Sequence, residues 1–244
     1  TIWQANTFPE PFRNKITVSH DGIDTTSVKP DSDVSVTING NLKLTREDKI
    51  ITYVARNLEP LRGTHIFLRA LPEILSRNPD VRVLVAGSEE AGYGAGPPQG
   101  GTWKDELLLE IRPKLQKSEW DRVHFVGQLP YSYFLNLLQV SSVHVYLTYP
   151  FVLSWSILEA MSAGCSVVAS STGPVTEVIK DGCTGRLVDF FDVGALAEQV
   201  CELLDDPGQR KLLGEEARKF VIENYDLQEV CLPQHIAWTE RLAG

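Results

Sequence analysis

The fold is decided by Ile50-Ile51-Thr52-Tyr53-Val54-Ala55-Arg56-Asn57-Leu58-Glu59-Pro60-Leu61-Arg62-Gly63, which is followed by Ile66, Phe67, Ala70, Leu71, Ile74 and Leu75. A continuous apolar run over residues 50–55 is the pattern of a strand covered on both faces. The spacing after it is that of one helix face, over residues 63–77. Pro72 is expected to bend that helix. The alternation repeats downstream. Strands are expected at residues 81–86 (ended by Gly87), 123–126, 143–148, 166–169 and 184–188. Helices are expected at 104–115, 131–139, 154–163, 193–204, 207–224 and 227–242. Apolar strands separated by helices predict an α/β, doubly wound parallel sheet, Rossmann-like in form. Such sheets bind ligands at the carboxyl ends of their strands. The site should therefore be built from loops beginning near Arg56, Gly87, Gly127, Thr148 and Ser170.

The chain has 244 residues, enough for one large α/β domain or two small ones. It carries 23 Lys and Arg against 32 Asp and Glu, a formal charge of −9. No broad basic footprint for nucleic acid or anionic lipid is available, so an anionic ligand would have to be held by a few placed arginines. Cys165, Cys183, Cys201 and Cys231 form no CxxC pair and are expected as free thiols of a reducing cytoplasm. The opening residues do not resemble a secretory signal. Residues 123–158 lack Asp, Glu, Lys and Arg, but they contain His124, Pro130, Asn136 and His144, and are read as buried sheet rather than a membrane span. Everything before Lys49 is expected to be an arm or linker, with a short strand at Ile16-Thr17-Val18 and a turn at Asp21-Gly22. Residues 88–102, crowded with glycine and proline, are expected to form a mobile lid or acceptor-side element; an insertion without a role is the plain alternative.

Three constellations carry chemistry. Arg56 and Arg62 flank a loop between a strand end and a helix start, where guanidinium forks and free amide groups together suit a phosphate. Two solvated surface arginines would look the same. Glu159 lies in the first turns of a helix that starts near Ser154. There it is placed to accept hydrogen bonds from sugar hydroxyls while the helix start binds phosphate; a surface glutamate favoured by the helix dipole is the alternative. Ser171-Thr172-Gly173-Pro174, with Glu177 after it, reads as a third cleft loop or as ordinary turn chemistry. No DxD-like acidic cluster sits at a strand end. Asp205-Asp206 precedes Pro207 at a helix end, so no metal site is expected.

In their order, several motifs resemble the carboxyl-terminal, donor-binding domain of a family 4 (group 1) glycosyltransferase with the GT-B fold. They are His20-Asp21-Gly22-Ile23-Asp24, Arg56 to Gly63, Val83-Leu84-Val85-Ala86-Gly87, Val123-His124-Phe125-Val126-Gly127, Leu158-Glu159-Ala160-Met161-Ser162-Ala163-Gly164, Val167-Val168-Ala169-Ser170, Gly173-Pro174-Val175-Thr176-Glu177 and Asp181-Gly182-Cys183-Thr184-Gly185-Arg186-Leu187-Val188. The likeness runs from about residue 15 to about residue 225. It implies that Arg56 and Arg62 meet the donor diphosphate, with Arg62 standing where the family usually has lysine. It implies that Glu159 holds the ribose, that the amides of Ile157 and Leu158 face the diphosphate, and that Gln128 and Leu129 meet the base. Gly87, Ser154 and Ser156 complete the implied binding set, and Arg56, Arg62 and Glu159 the implied catalytic set. Phe151 stands where the family has its first glutamate, and Val152-Leu153-Ser154-Trp155 replaces the usual glycine-rich loop.

The resemblance further implies transfer of a sugar from a UDP, GDP or ADP sugar to an acceptor hydroxyl, with retention and with neither metal nor cofactor. Residues 1–24 would be the tail of an amino-terminal domain and the linker, residues 25–226 the nucleotide-sugar domain, and residues 227–244 a crossover helix with a partly exposed apolar face (Val230, Cys231, Ile236, Ala237, Trp238). The implied partners are the nucleotide sugar and that amino-terminal domain, through which a peripheral membrane contact is left open. Neither nucleic acid nor a transmembrane segment is expected. Two other readings share the sheet: a binding module without catalysis, which Phe151 favours, and an epimerase or phosphorylase.

Overall fold

Ile50, Ile51, Val83, Leu84, Val143, Val145, Val167 and Val168 are all fully buried, as strands covered on both faces require. The structure, a computed structural model, describes residues 1–90 and 92–243. Its elements in chain order are α1 (Ile2–Asn6), α2 (Glu10–Arg13), β1 (Ser35–Ile38), β2 (Leu42–Thr45), β3 (Ile50–Asn57), α3 (Thr64–Arg77), β4 (Arg82–Ser88), α4 (Trp103–Ile111), α5 (Lys117–Trp120), β5 (Val123–Gly127) and α6 (Tyr131–Gln139). Then come β6 (Val143–Tyr146), α7 (Trp155–Ser162), β7 (Val167–Ser170), α8 (Gly173–Thr176), β8 (Arg186–Val188), α9 (Val193–Asp205), α10 (Pro207–Tyr225) and α11 (Leu232–Ala243).

Six strands form one sheet in the order β5-β4-β3-β6-β7-β8, every pair parallel. The chain starts mid-sheet, winds outward to β5, and returns to the other side of β3. This doubly wound order leaves its switch point between β3 and β6, where a crevice opens at the strand ends. Alternate side chains divide the core between the two faces. Ile51, Tyr53, Val83, Val85, Val143 and Val145 pack with α3 and α9 on one face. On the other, Tyr146, Val167 and Ala169 pack with α7 and α10, and Ile50, Leu84 and Ala86 with Leu137 and Val140 around α6.

The arm expected before Lys49 is corrected by the structure. β1 and β2 form an antiparallel hairpin whose Val34, Ile38 and Leu44 close the core over Ile50 and Leu84. Asn39 and Gly40, both left-handed (φ 51° and 73°), open the three-residue turn between the paired Ile38 and Leu42. That dipeptide, between alternating Val36/Ile38 and Leu42/Leu44, was a legible hairpin signal overlooked in a polar stretch. The strand expected at residues 16–18 is absent: Ile16 and Val18 have no strand partner, and Val18 is exposed. Gly87 lies inside β4 rather than ending it. α3 runs through Pro72 without a break. The helix expected at residues 227–242 opens as a π-helical turn, Leu227–Cys231, capped by Asp226.

Residues 20–24 lie against this turn, with the Ile23 amide donating to Tyr225 and the Leu227 amide to Ile23. Gly22 is required here. It has φ 93°, and a Cβ would come 2.7 Å from Leu227 Cα. All four cysteines are unbridged. Among the described residues no helix is long and apolar enough to cross a membrane.

Candidate functional site

The crevice at the switch point is lined from both sides of the crossover. One depression of about 400 Å³ is bounded by Arg56, Gly87, Gln128, Leu129, Trp155 and Glu159, among others. A second, of about 280 Å³, shares Val54, Ala55, Arg56 and residues 154–156 with the first and extends to Arg62, Tyr93 and Val152. Together they make one elongated cleft, with Glu159 in one depression, Arg62 in the other and Arg56 shared by both.

The arginine end follows from local structure. β3 carries Arg56 out of the sheet. A 3₁₀ turn over Pro60–Arg62 then ends at Gly63, whose φ of 74° starts α3. Gly63 is also packed tightly, since a Cβ there would come 2.4 Å from that of Leu147. Arg62 donates to Thr148 Oγ1 at 3.3 Å, and its carbonyl accepts from the buried Tyr53 hydroxyl. Burial pushes the Tyr53 phenol well above its ordinary pKa, so it stays a donor.

Over both guanidiniums sits Tyr93, its ring 6.0 Å from Arg56 and 5.7 Å from Arg62. Its hydroxyl accepts from Arg56 at 3.3 Å. Phe151 packs on Arg62 at 5.5 Å and on Tyr93 at 5.1 Å.

Glu59 holds Tyr93 there. Only 2% exposed, its carboxylate accepts the amides of Tyr93 (3.3 Å) and Gly94 (3.0 Å). A side chain at Gly92 would come 2.5 Å from Glu59 Oε1. The loop is also tied by Asn57 Nδ2 to the Glu90 carbonyl and by Trp103 Nε1 to that of Ala95. Residue 91, inside the loop expected at residues 88–102, lies outside the described residues.

At the carboxylate end, Ser154 caps α7 and its Oγ takes the Ser156 amide at 3.3 Å. The first-turn amides of Trp155 and Ile157 find no carbonyl in a helix of this register. Ile157 and Leu158, expected to face the diphosphate through their amides, have fully buried side chains and line neither depression. Glu159 is 7% exposed and accepts from Tyr131 Oη at 2.8 Å. Burial pushes its carboxyl pKa up, and the Tyr131 hydrogen bond opposes that rise. Gly87 brings β4 close to β3, since a Cβ would lie 2.5 Å from the Ala55 carbonyl oxygen.

Of the expected residues, Arg56, Arg62, Gly87, Gln128, Leu129, Ser154, Ser156 and Glu159 converge on the cleft. Glu177 does not. Its carboxylate takes the amides of Ile2 and Trp3 at the start of α1, and the Trp3 indole packs on Gly173. Sequence reasoning missed Glu59, Tyr93, Tyr131 and Phe134. Glu59 shares the loop of the two arginines but turns its carboxylate to the Tyr93 and Gly94 amides, Tyr93 comes from the loop after β4, and Tyr131 and Phe134 come from α6, so their placement depends on contacts between distant segments.

The family described as glycosyl transferases group 1 matches residues 37–220, and that described as glycosyl transferase family 4 group matches residues 1–28. D-inositol 3-phosphate glycosyltransferase of Mycolicibacterium smegmatis is 30% identical over 194 residues, 79% of this chain and 41% of that protein. The chain thus spans about 40% of the length of the curated relatives it matches. Among solved structures, the carboxyl-terminal domain of a group 1 glycosyl transferase (LpcC) from Francisella tularensis superposes with a TM-score of 0.69 at 19% identity, over 85% of this chain and 100% of that one. Anabaena HepE, solved with UDP and glucose, gives a TM-score of 0.69 at 20% identity, over 92% of this chain and 56% of that one. At these identities the structural likeness establishes the fold.

Proposed function

The chain belongs to the group 1 glycosyl transferases, and on that premise we propose that it is the donor-binding half of an enzyme that moves a sugar from a nucleoside-diphosphate sugar to an acceptor hydroxyl. The observation that carries this is the single cleft at the switch point, which joins the buried Glu159 on one side to Arg62 on the other through the shared Arg56. A nucleoside diphosphate has matching chemistry: a dianionic diphosphate for the guanidiniums and the first-turn amides, and a ribose diol for a carboxylate.

Gln128 and Leu129, on the loop after β5, would meet the base. Charge developing on the departing diphosphate would be stabilised by Arg56, Arg62 and the α7 amides, all in place before reaction. On this reading no metal is needed, transfer retains the anomeric configuration, and the protein works in the cytoplasm. HepE was solved with UDP, so the UDP form is the first to test.

A second reading, a donor-binding module without catalysis, is favoured by one observation: Phe151 puts an apolar ring on Arg62 at the family's glutamate position.

The experiment is calorimetric titration of UDP, GDP and ADP into the chain, in EDTA and in magnesium. One diphosphate should bind, with the same affinity in both buffers. Strict dependence on magnesium overturns the metal-free reading, and binding of none overturns the assignment. Donor hydrolysis by the intact protein separates enzyme from module.

A further inference from the structure

A second cavity, of about 400 Å³, opens at the opposite edge of the sheet, where Ser142 and Ser166 precede β6 and β7. The whole length of the strands separates it from the cleft, about 13 Å for the four residues of β6. In a chain of net charge −9, its walls carry Arg46, Arg210, Lys211 and Arg218 against one carboxylate, Glu215.

Arg210, Gly214 and Arg218 share one face of α10 at four-residue spacing. Gly214 lets that face close on the turn between α7 and β7, since a Cβ there would come 2.3 Å from the Gly164 carbonyl oxygen. Arg46 reaches the cavity from the loop after β2.

The two arginines of α10 are held by carbonyls rather than by carboxylates. Arg210 donates through Nη1 to the Leu203 and Leu204 carbonyls, and Asp205 and Asp206 act on it from the end of α9 without closing an ion pair. Arg218 donates to the carbonyls of Thr25, Val28 and Ser162. Neither has a carboxylate within 4.0 Å among the described residues. Burial pushes both guanidiniums below their ordinary pKa, a cost that an anion would relieve. Lys211 reaches Glu215 only at 3.8 Å. Ser166, 2% exposed and lining the same cavity, has a buried Oγ with no hydrogen-bond partner. Buried hydroxyls are ordinarily paired, and this unpaired one belongs to a residue that borders the cationic cavity.

We infer that this cavity is a binding site for a small phosphate-bearing anion, separate from the donor cleft. Guanidiniums on two walls, with the unpaired Ser166 hydroxyl buried at the border, suit the several acceptor oxygens of a phosphate, and the volume leaves room for a small organic body.

The test is titration of inorganic phosphate into the chain carrying Arg56→Ala and Arg62→Ala, which removes the donor-cleft arginines whether or not their proposed role is right. Phosphate should still bind, and adding Arg210→Gln and Lys211→Gln should weaken it at least 10-fold. Loss of binding in the Arg56/Arg62 variant, or no effect of Arg210→Gln with Lys211→Gln, overturns the proposal. Ser166→Ala gives a second readout. It should leave the phosphate-free melting temperature unchanged or higher while shrinking the phosphate-induced rise. A lower phosphate-free melting temperature would show that the hydroxyl serves the fold, and would overturn its place in the site.

Discussion

Glu159 illustrates a side chain whose placement costs stability and, in the proposed donor site, would supply binding. Its pKa is raised by burial, so the ionised form is disfavoured in the folded protein. A raised folded pKa opposes stability once pH exceeds it. Glu159→Gln should therefore raise the melting temperature at neutral pH while weakening nucleoside diphosphate binding. A hydrogen bond to a charged group contributes roughly 1.5–3 kcal/mol, or about 10- to 100-fold in affinity. The matched 2′,3′-dideoxy ligand should lose little further on mutation; equal losses for both ligands would remove Glu159 from the ribose. Wild-type affinity should also fall as pH drops through the raised carboxyl pKa, and the Gln variant should not show that fall.

His144 gives a separate pH signature. Fully buried in β6, with Nδ1 2.8 Å from Thr52 Oγ1, it is pushed by burial to about 4. A depressed folded pKa means that the unfolded chain binds the proton first. Stability is thus complete above about pH 6.5 and declines toward pH 4, by about 3 kcal/mol from this residue. Denaturant unfolding at pH 7 and pH 4.5 measures the loss, and His144→Leu should flatten it.

At the scale of elements, the loop after β4 bears on the arginines more than its composition suggests. Glu59 pins it, and Tyr93 then covers both guanidiniums. Exposed cation–π contacts contribute about 0.5–1 kcal/mol each. A diphosphate that must displace the ring should gain by its removal, so Tyr93→Ala should tighten UDP binding about 2- to 5-fold. Weaker binding would instead make Tyr93 part of the diphosphate site.

The hairpin offers a test of backbone strain free of packing. Nothing lies within 4 Å of a Cβ at Gly40 or Gly96, but only Gly40 is left-handed. Gly40→Ala should cost about 1 kcal/mol, whereas Gly96→Ala should be neutral or slightly stabilising. Chemical denaturation of the two variants decides it.

At the scale of the whole molecule, apolar side chains gather outside the sheet domain. Ile2, Phe8 and Phe12 are exposed at one end of the chain, and Ile236, Trp238 and Leu242 on α11. Cys231, expected on that exposed face, is instead buried against Gly22. Holding donor and acceptor in near-attack geometry is worth roughly 7–11 kcal/mol in favourable cases, and closing a cleft excludes water. This chain presents its cleft open to solvent. If the proposed donor-binding role is right, it should bind donor yet transfer sugar far more slowly than a full-length protein that carries an acceptor-binding domain as well, leaving at most slow hydrolysis. Comparable transfer rates with the same donor and acceptor would move the acceptor site onto this domain.

Much of this architecture is legible in the amino-acid sequence. The apolar runs at residues 50–55, 81–86 and 143–148 declared strands buried on both faces, and helical spacing declared α3, α6 and α9, because those signals repeat within one element. Arg56, Arg62 and Glu159 could be picked out because each lies beside a strand end or helix start written in the same few residues. Tertiary structure alone decided the rest. Tyr131 meets Glu159 across 28 residues, Glu59 takes the Gly94 amide across 35, Glu177 caps α1 across 175, and Arg46 joins Arg210 and Arg218 at one cavity. Periodicity reports which face of an element is apolar. Which loops meet depends on strand order, and the order β5-β4-β3-β6-β7-β8 brings together segments whose local sequences carry no trace of one another.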